Sequence, residues 1–344
     1  MQQKRETDYF YQLTPDEIID AVIKLGLEPS GHISQLNSME NRVFDLRLES
    51  GKHIVTKFYR PGRWSREQIL EEHAFLFELA EDEIPALAPL KFDGQSLFEE
   101  QGIYFAIWPR TGGREPEELS EIDLQILGRL LARVHNVGAS AKSESCRPAF
   151  NSDRFVREPL EVLREKHFLK DNHALEYAEL AERIAHHYDV HHEELPLLRI
   201  HGDLHKGNIL NGSEGWFLLD FDDSLVGPAV QDVWMLFPGD ENLNAHARSV
   251  FLAAYREFRH FEERWLALAE TLRAMRIIHY SGWIARRYDD PSFTSAFPDF
   301  ASDSYWQEEI GILRDICASM GDSYPIADTG EALSNKDFFF DYED

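Results

Sequence analysis

Cysteine is nearly absent from this chain: Cys146 and Cys317 are the only two in 344 residues, and no C-x-x-C spacing occurs. Neither a disulfide scaffold nor a cysteine-based zinc site is indicated. Basic residues are also scarce, 35 Lys and Arg against 62 Asp and Glu, which gives a formal charge of −27. Gripping a phosphate backbone needs an excess of cations on one face, so no nucleic-acid partner is expected. Long apolar runs are missing too. No stretch approaches the ~20 residues of a membrane span, and the opening M-Q-Q-K-R-E-T-D-Y-F-Y-Q-L has no apolar run of signal-peptide length. The expectation is a cytoplasmic protein with no membrane association. Its acidity serves solubility, or steers basic polypeptides and polycations towards it.

What is present argues for a folded protein. Hydrophobic residues make up 43% and aromatics 12%, and the length exceeds the usual single domain, leaving room for two lobes with a cleft. The most informative stretch is Leu198 to Asp232, L-R-I-H-G-D-L-H-K-G-N-I-L-N-G-S-E-G-W-F-L-L-D-F-D-D-S-L-V-G-P-A-V-Q-D. Four residues separate Asp203 from Asn208, the interval at which a phosphoryl-transfer loop sets its base and a metal ligand. Asp220 follows after two short apolar runs flanking an Asn- and Gly-rich turn, a hairpin pattern that returns Asp220 to Asn208. Phosphoryl transfer is largely positioning and charge neutralisation. Asn208 and Asp220 can supply hard oxygen donors to Mg²⁺, and Asp203 can orient a hydroxyl and accept its proton. The alternative is a solvated, Asp-rich hairpin end.

Upstream, Thr14-Pro15-Asp16-Glu17 predicts a capped helix start, with Ile18, Ala21, Val22 and Leu25 as its stripe and Gly26 as its end. Ser34 to Tyr59 alternates as strands. Lys57 lies on one of them between Val55 and Tyr59, and a cation among apolar neighbours calls for an anion: a nucleotide phosphate, or solvent if the strand is an edge. The helix predicted over Arg66 to Glu81 buries Leu70, Phe75, Leu76 and Leu79, which phases Glu72 inward as the partner of Lys57, with Glu71 as the fallback. No G-x-G-x-x-G precedes Lys57. The turn Leu36 to Val43 takes that place; Ser38 is the candidate phosphate contact there, and a plain solvated turn is the other reading. Ile103 to Trp108 is a further strand. Pro109 and Thr111-Gly112-Gly113 then mark a boundary that suits an adenine slot.

Beyond this the periods are helical: Leu124 to His135, then Leu160 to His187. His186-His187 with His191-His192, and His201 with Asp203 and His205, could be drawn as metal sites, but a solvated helix end and the phosphoryl-transfer pattern explain them better. Asp232 heads a helix over Val233 to Phe237, as its N-cap or, preferably, as a brace on the backbone of His201. A helix over Ala269 to Trp283 carries Arg273 and Arg276, with Arg286 and Arg287 beyond; pairing with carboxylates is favoured over binding an anionic substrate. The acidic, aromatic tail Asp337 to Asp344 either docks or stays mobile.

The segments S-M-E-N-R-V at Ser38, K-F-Y-R-P at Lys57, Q-I-L-E-E-H at Gln68, R-I-H-G-D-L-H-K-G-N-I-L, L-D-F-D-D, G-P-A-V-Q-D-V-W-M-L and L-R-A-M-R together resemble the serine/threonine kinases of the aminoglycoside-phosphotransferase-like (choline kinase-like) branch of the protein kinase fold. The likeness runs from about Leu13 to Trp306. It implies an α+β, bilobal protein-kinase-like fold, with a small β-rich N-lobe over residues 1–108 and a mostly helical C-lobe over 109–344. It also implies ATP and Mg²⁺, Asp203 as proton acceptor, Asn208 and Asp220 as metal ligands, Ser38 near the nucleotide, and a Ser or Thr acceptor on a protein substrate; Lys57 and Glu72 join the nucleotide site on the reading given above, and a monomer is expected. Two departures stand out. His-Gly-Asp replaces the His-Arg-Asp of typical eukaryotic kinases, and Phe221-Asp222 replaces Phe-Gly. With no Arg beside Asp203 to read a loop phosphate, regulation by loop phosphorylation is not expected.

Overall fold

A computed structural model of the chain describes residues 9–140, 145–238 and 241–320. They form two compact units that interleave along the sequence: Met1–Ser120 with Arg133–Pro148 and Asp203–Ser224, and Glu121–Ala132 with Ala149–Gly202 and Leu225–Asp344. The tail Asp337 to Asp344 lies outside the described residues.

The first unit is built on helix α1 (Pro15–Ile23) and strands β1 (Pro29–Leu36), β2 (Arg42–Leu48) and β3 (His53–Phe58), followed by helix α2 (Arg66–Glu81), β4 (Phe98–Glu100) and β5 (Ile103–Pro109). The strands make one antiparallel sheet in the order β1-β2-β3-β5-β4. Both helices start on the capping boxes written in their sequences, Thr14 with Glu17 and Ser65 with Gln68, each of which satisfies two orphan N–H groups. Alternation divides the sheet into two faces. Phe44, Leu46, Ile54, Phe58, Ile103, Phe105 and Ile107 pack with Ile18, Ala21 and Val22 of α1, whereas Tyr59, Ala106 and Trp108 face Trp64 and Ile69 at the start of α2. Lys57 projects on this second side, opposite Val43 and Ala106 in register. On α2 the buried face includes Ile69, Glu72, Phe75, Leu76 and Leu79; Leu70, expected on that face, is only partly buried.

Two further strands complete this unit, β6 (Ile209–Gly212) and β7 (Gly215–Leu218), a two-stranded hairpin in which Ile209 opposes Leu218. Its outer strand docks on the chain after α2 through Leu218 N–H to the Pro85 carbonyl. Its inner strand pairs with the segment after β5, Arg114 against Asn211. That approach is so close that a Cβ on Gly212 would lie 2.3 Å from the Gly112 carbonyl oxygen, which is why glycines stand here.

The second unit is mainly helical among the described residues. Helix α3 (Glu121–Ala139), of which Glu121–Ala132 belongs to this unit, runs one turn beyond the expected end at His135. The stretch Leu160 to His187, expected as helix, is helical in two pieces, α4 (Glu158–Glu165) and α5 (Asp171–His191). The break carries neither Gly nor Pro; His167 turns it with a φ of 59°. Strand β8 (Leu197–Ile200) pairs with β9 (Leu225–Pro228). Helix α6 (Val230–Met235) starts two residues before Asp232, so Asp232 lies in its first turn and is not its N-cap. Then come α7 (Glu241–Tyr255), α8 (Ala269–Arg287), α9 (Pro291–Ala296) and α10 (Asp303–Ser319). Leu272, Met275, Ile278 and Ile284 of α8 are fully buried. Arg273 pairs with Glu270 and Arg287 packs over Trp283, so these two arginines have local partners.

Candidate active site

Lys57 is the cation at the centre of the first unit. It is 7% exposed, and its ammonium lies 3.0 Å from Asp220 Oδ1, 3.2 Å from Asp222 Oδ1 and 3.8 Å from Glu72 Oε1. The rings of Tyr59 and Trp108 flank it at 5.2 and 5.8 Å. Burial opposes its charge, but the three carboxylates outweigh that and hold the ammonium above its ordinary pKa. Glu72 is the partner on α2 that helical phase predicts. Glu71 faces elsewhere and accepts from Ser145 Oγ, Cys146 N–H at 2.7 Å and Arg147 N–H at 3.2 Å. Burial pushes the Glu72 carboxyl up to about 7 in spite of Lys57.

Asp220 stands at the end of the 209–218 hairpin. Leu219 N–H donates to the Asn208 carbonyl at 2.9 Å, which fixes Asp220 one residue from that bond, as the hairpin pattern predicts. Its φ of 53° is left-handed and its side chain is 53% exposed. Asp tolerates that region better than most residues, still at a cost of about 1 kcal/mol or more. The neighbouring Phe221 is buried edge-to-face on Phe75 of α2, with centroids 5.7 Å apart. Asn208 donates its amide to the Asp203 carbonyl at 2.8 Å, which leaves its Oδ1 as an oxygen donor. His205 turns back on the same loop: its Nδ1 accepts from Gly207 N–H at 3.0 Å, and its Nε2 is 3.7 Å from Asp203 Oδ2.

Asn208 and Asp220 thus present a carbonyl and a carboxylate, a donor set that fits a hard divalent cation whose remaining positions go to water and phosphate. Among the described residues no three His, Cys, Asp or Glu side chains gather as a closed metal site, and the histidine groupings drawn from sequence do not form one.

Ser38 is exposed in the β1–β2 turn, where its hydroxyl accepts from Asn41 N–H at 3.2 Å. Its link to the cluster runs through Asn41, whose amide donates to Asp222 Oδ2 at 3.1 Å.

In the second unit, Asp232 accepts from His201 N–H at 2.9 Å and Gly202 N–H at 2.8 Å. This is the bracing contact, made to the backbone immediately ahead of Asp203 in the chain. Gly202 has a φ of 84°, which explains glycine where typical eukaryotic kinases carry Arg.

Three residues around Asp222 escape sequence reasoning. Arg63 binds Asp222 Oδ2 and also Asp223 Oδ1 at 2.6 Å. Arg147 donates to the Asp222 carbonyl and to the Ser224 carbonyl at 2.7 Å, with its guanidinium over Trp64. Asn41 is the third. Burial works against ionising Asp222, but Arg63, Lys57 and Arg147 outweigh it and hold the carboxyl well below the usual range. The signal in the sequence is the second acid of Asp220-Phe221-Asp222 with basic Arg63 after the Lys57 strand; nothing local couples them.

This fold, with a buried Lys among carboxylates and the Asp203, Asn208 and Asp220 loop, defines a phosphotransferase of the kinase-like type. The chain belongs to the phosphotransferase enzyme family (APH), whose model matches residues 32–269. It is similar to stress response kinase A of Escherichia coli (strain K12), 37% identical over 298 residues that cover 86% of this chain and 90% of that protein. It is also similar to serine/threonine protein kinase RdoA of Salmonella typhimurium (strain LT2), 36% identical over 301 residues, covering 87% and 91%. Among solved structures, amicoumacin kinase hAmiN in complex with AMP-PNP, Ca²⁺ and Ami superposes with a TM-score of 0.64 at 18% identity, covering 86% of this chain and 93% of that one. The fold is shared with a kinase of small molecules.

Proposed function

We propose that this protein transfers the γ-phosphoryl group of ATP, with Mg²⁺, to Ser or Thr hydroxyls of a protein substrate, as a cytoplasmic monomer without a nucleic-acid partner. The observation that carries the reading is Lys57 held among Asp220, Asp222 and Glu72, beside a loop in which Asn208 is tied to Asp203. Lys57 contacts the nucleotide phosphates. Asn208 Oδ1 and Asp220 would hold Mg²⁺, which when bound supplies charge neutralisation at the phosphate oxygens. Asp203 orients the acceptor hydroxyl and takes its proton as the new O–P bond forms and the bond to the β-phosphate oxygen breaks. The name of one 36% identical relative, serine/threonine protein kinase RdoA, supports a protein acceptor. No described helix is long and apolar enough to cross a membrane.

The second reading, a small-molecule kinase, is favoured by the shared fold of amicoumacin kinase and by an acidic surface that attracts polycations as readily as basic peptides. The same catalytic residues serve both, so the acceptor decides. With labelled ATP and Mg²⁺, the protein is expected to label itself or a basic protein such as myelin basic protein, with phosphoserine or phosphothreonine identified by mass spectrometry. Transfer only to an aminoglycoside or amino alcohol would replace the first reading with the second.

A further inference from the structure

We infer that, of the two buried carboxylates beside Lys57, Asp222 is the principal positioning partner, taking the anchoring role that helical phase assigns to Glu72. The distances rank the two. Asp222 Oδ1 is 3.2 Å from the ammonium, whereas Glu72 Oε1 is 3.8 Å away. Asp222 is also the better fixed of the two. Its other oxygen, Oδ2, is taken by Arg63 Nη1 and by Asn41 Nδ2 at 3.1 Å, so Oδ1 is left aimed at Lys57. Its main-chain carbonyl accepts from Arg147 Nη2. A carboxylate gripped on one oxygen and on its backbone, and 2% exposed, presents the other oxygen at a set place. Glu72 has no such grip among the described residues.

The arrangement gives the two acids of Asp220-Phe221-Asp222 different tasks. Asp220, half exposed at the hairpin end, is the acid available to a cation or phosphate. Asp222 stays behind, holding Lys57 when Asp220 turns to another partner. Arg63 is thereby a positioning residue acting through Asp222, and through Asn41 the network reaches the turn that carries Ser38.

The inference rests on the reading of Lys57 as the nucleotide-phosphate cation only in its functional half, so the test has two arms. The first uses no nucleotide. Urea unfolding of Lys57→Met, Asp222→Asn, Glu72→Gln and the two double variants with Lys57→Met measures coupling by double-mutant cycles. Lys57 with Asp222 is expected to show at least tenfold non-additivity in the unfolding constant, clearly more than Lys57 with Glu72. Additive Lys57 and Asp222 effects, or a larger coupling to Glu72, overturn the proposal. Should Asp222→Asn fail to fold, the cycle is run with Arg63→Gln as its reference, so that adding Asp222→Asn removes both members of that buried pair and Lys57→Met completes the four corners.

The second arm reads ATP affinity by calorimetry in EDTA, so that no metal contributes. Asp222→Asn should weaken binding about tenfold and Glu72→Gln less than threefold, and neither should matter once Lys57 is Met; an Asp222 effect that persists without Lys57 overturns the positioning role. If the wild-type chain binds no ATP either in EDTA or with Mg²⁺, the nucleotide reading fails, and the anchor is judged by the unfolding cycle.

Discussion

Asp220 combines a left-handed backbone with a carboxylate that meets Lys57 at 3.0 Å, so its charge and its conformation are separable by substitution. Asp220→Asn keeps a side chain that tolerates positive φ and removes the charge; kcat is expected to fall at least 100-fold and Mg²⁺ dependence to weaken. Asp220→Gly relieves the strain as well, so it should be the more stable of the two variants by thermal unfolding while being as inactive. Activity in Asp220→Asn with unchanged Mg²⁺ dependence would remove Asp220 from the site. A second prediction concerns Glu309 in the second unit. It is buried, with Tyr177 Oη and Ser281 Oγ each donating at 2.6 Å, and burial pushes its carboxyl up to about 7 despite those bonds. A folded-state value above the ordinary 4.5 means the native state holds the proton more tightly, so this group's stabilisation is complete below about 4.5 and declines as pH rises towards 7. Glu309→Gln, which mimics the protonated acid, should match the wild type at pH 4.5 and exceed it increasingly as the pH rises towards 7, the gap widening by at most ~1.4 kcal/mol for each step of one in pH. Parallel curves would contradict the assignment.

At the scale of elements, much of the site was legible because its residues sit on regular structure. The phase of α2 separates Glu72 from Glu71, and the alternation of β3 puts Lys57 on the face of Tyr59 and Trp108. The hairpin pattern returns Asp220 to Asn208 through one main-chain bond. Contacts between irregular segments far apart in sequence were not legible: Arg63 reaches Asp222 across 159 residues and Asn41 reaches it across 181, and no periodicity encodes such a meeting. The break between α4 and α5 was hidden for a different reason, since His167 turns the chain without Gly or Pro. Glu71 gives an element-level test. It ties residues 145–147 to α2 through four donors on that segment's backbone and side chains. Glu71→Ala should cost about 1–2 kcal/mol in urea unfolding, given the usual worth of charge-assisted bonds at a partly exposed site, with kcat within about threefold of wild type. A large loss of kcat at unchanged stability would mean that Glu71, not Glu72, serves Lys57.

Across the whole molecule, 62 acidic residues against 35 basic ones leave few cations, and several of them are concentrated where negative charge must be held. Lys57, Arg63 and Arg147 are all buried or nearly so around Asp222, where Glu72, Asp220, Asp222 and Asp223 match their charge. On the proposed reading, Lys57 becomes available to a nucleotide phosphate when Asp220 turns to another partner. The most direct measurement compares wild type with Asp203→Asn in phosphoryl transfer from labelled ATP with Mg²⁺, together with Mg·ATP affinity by calorimetry. Loss of a positioned base that acts in the transition state should lower kcat by at least 100-fold and leave the affinity within about twofold; a variant that keeps more than about a tenth of wild-type kcat would contradict the account.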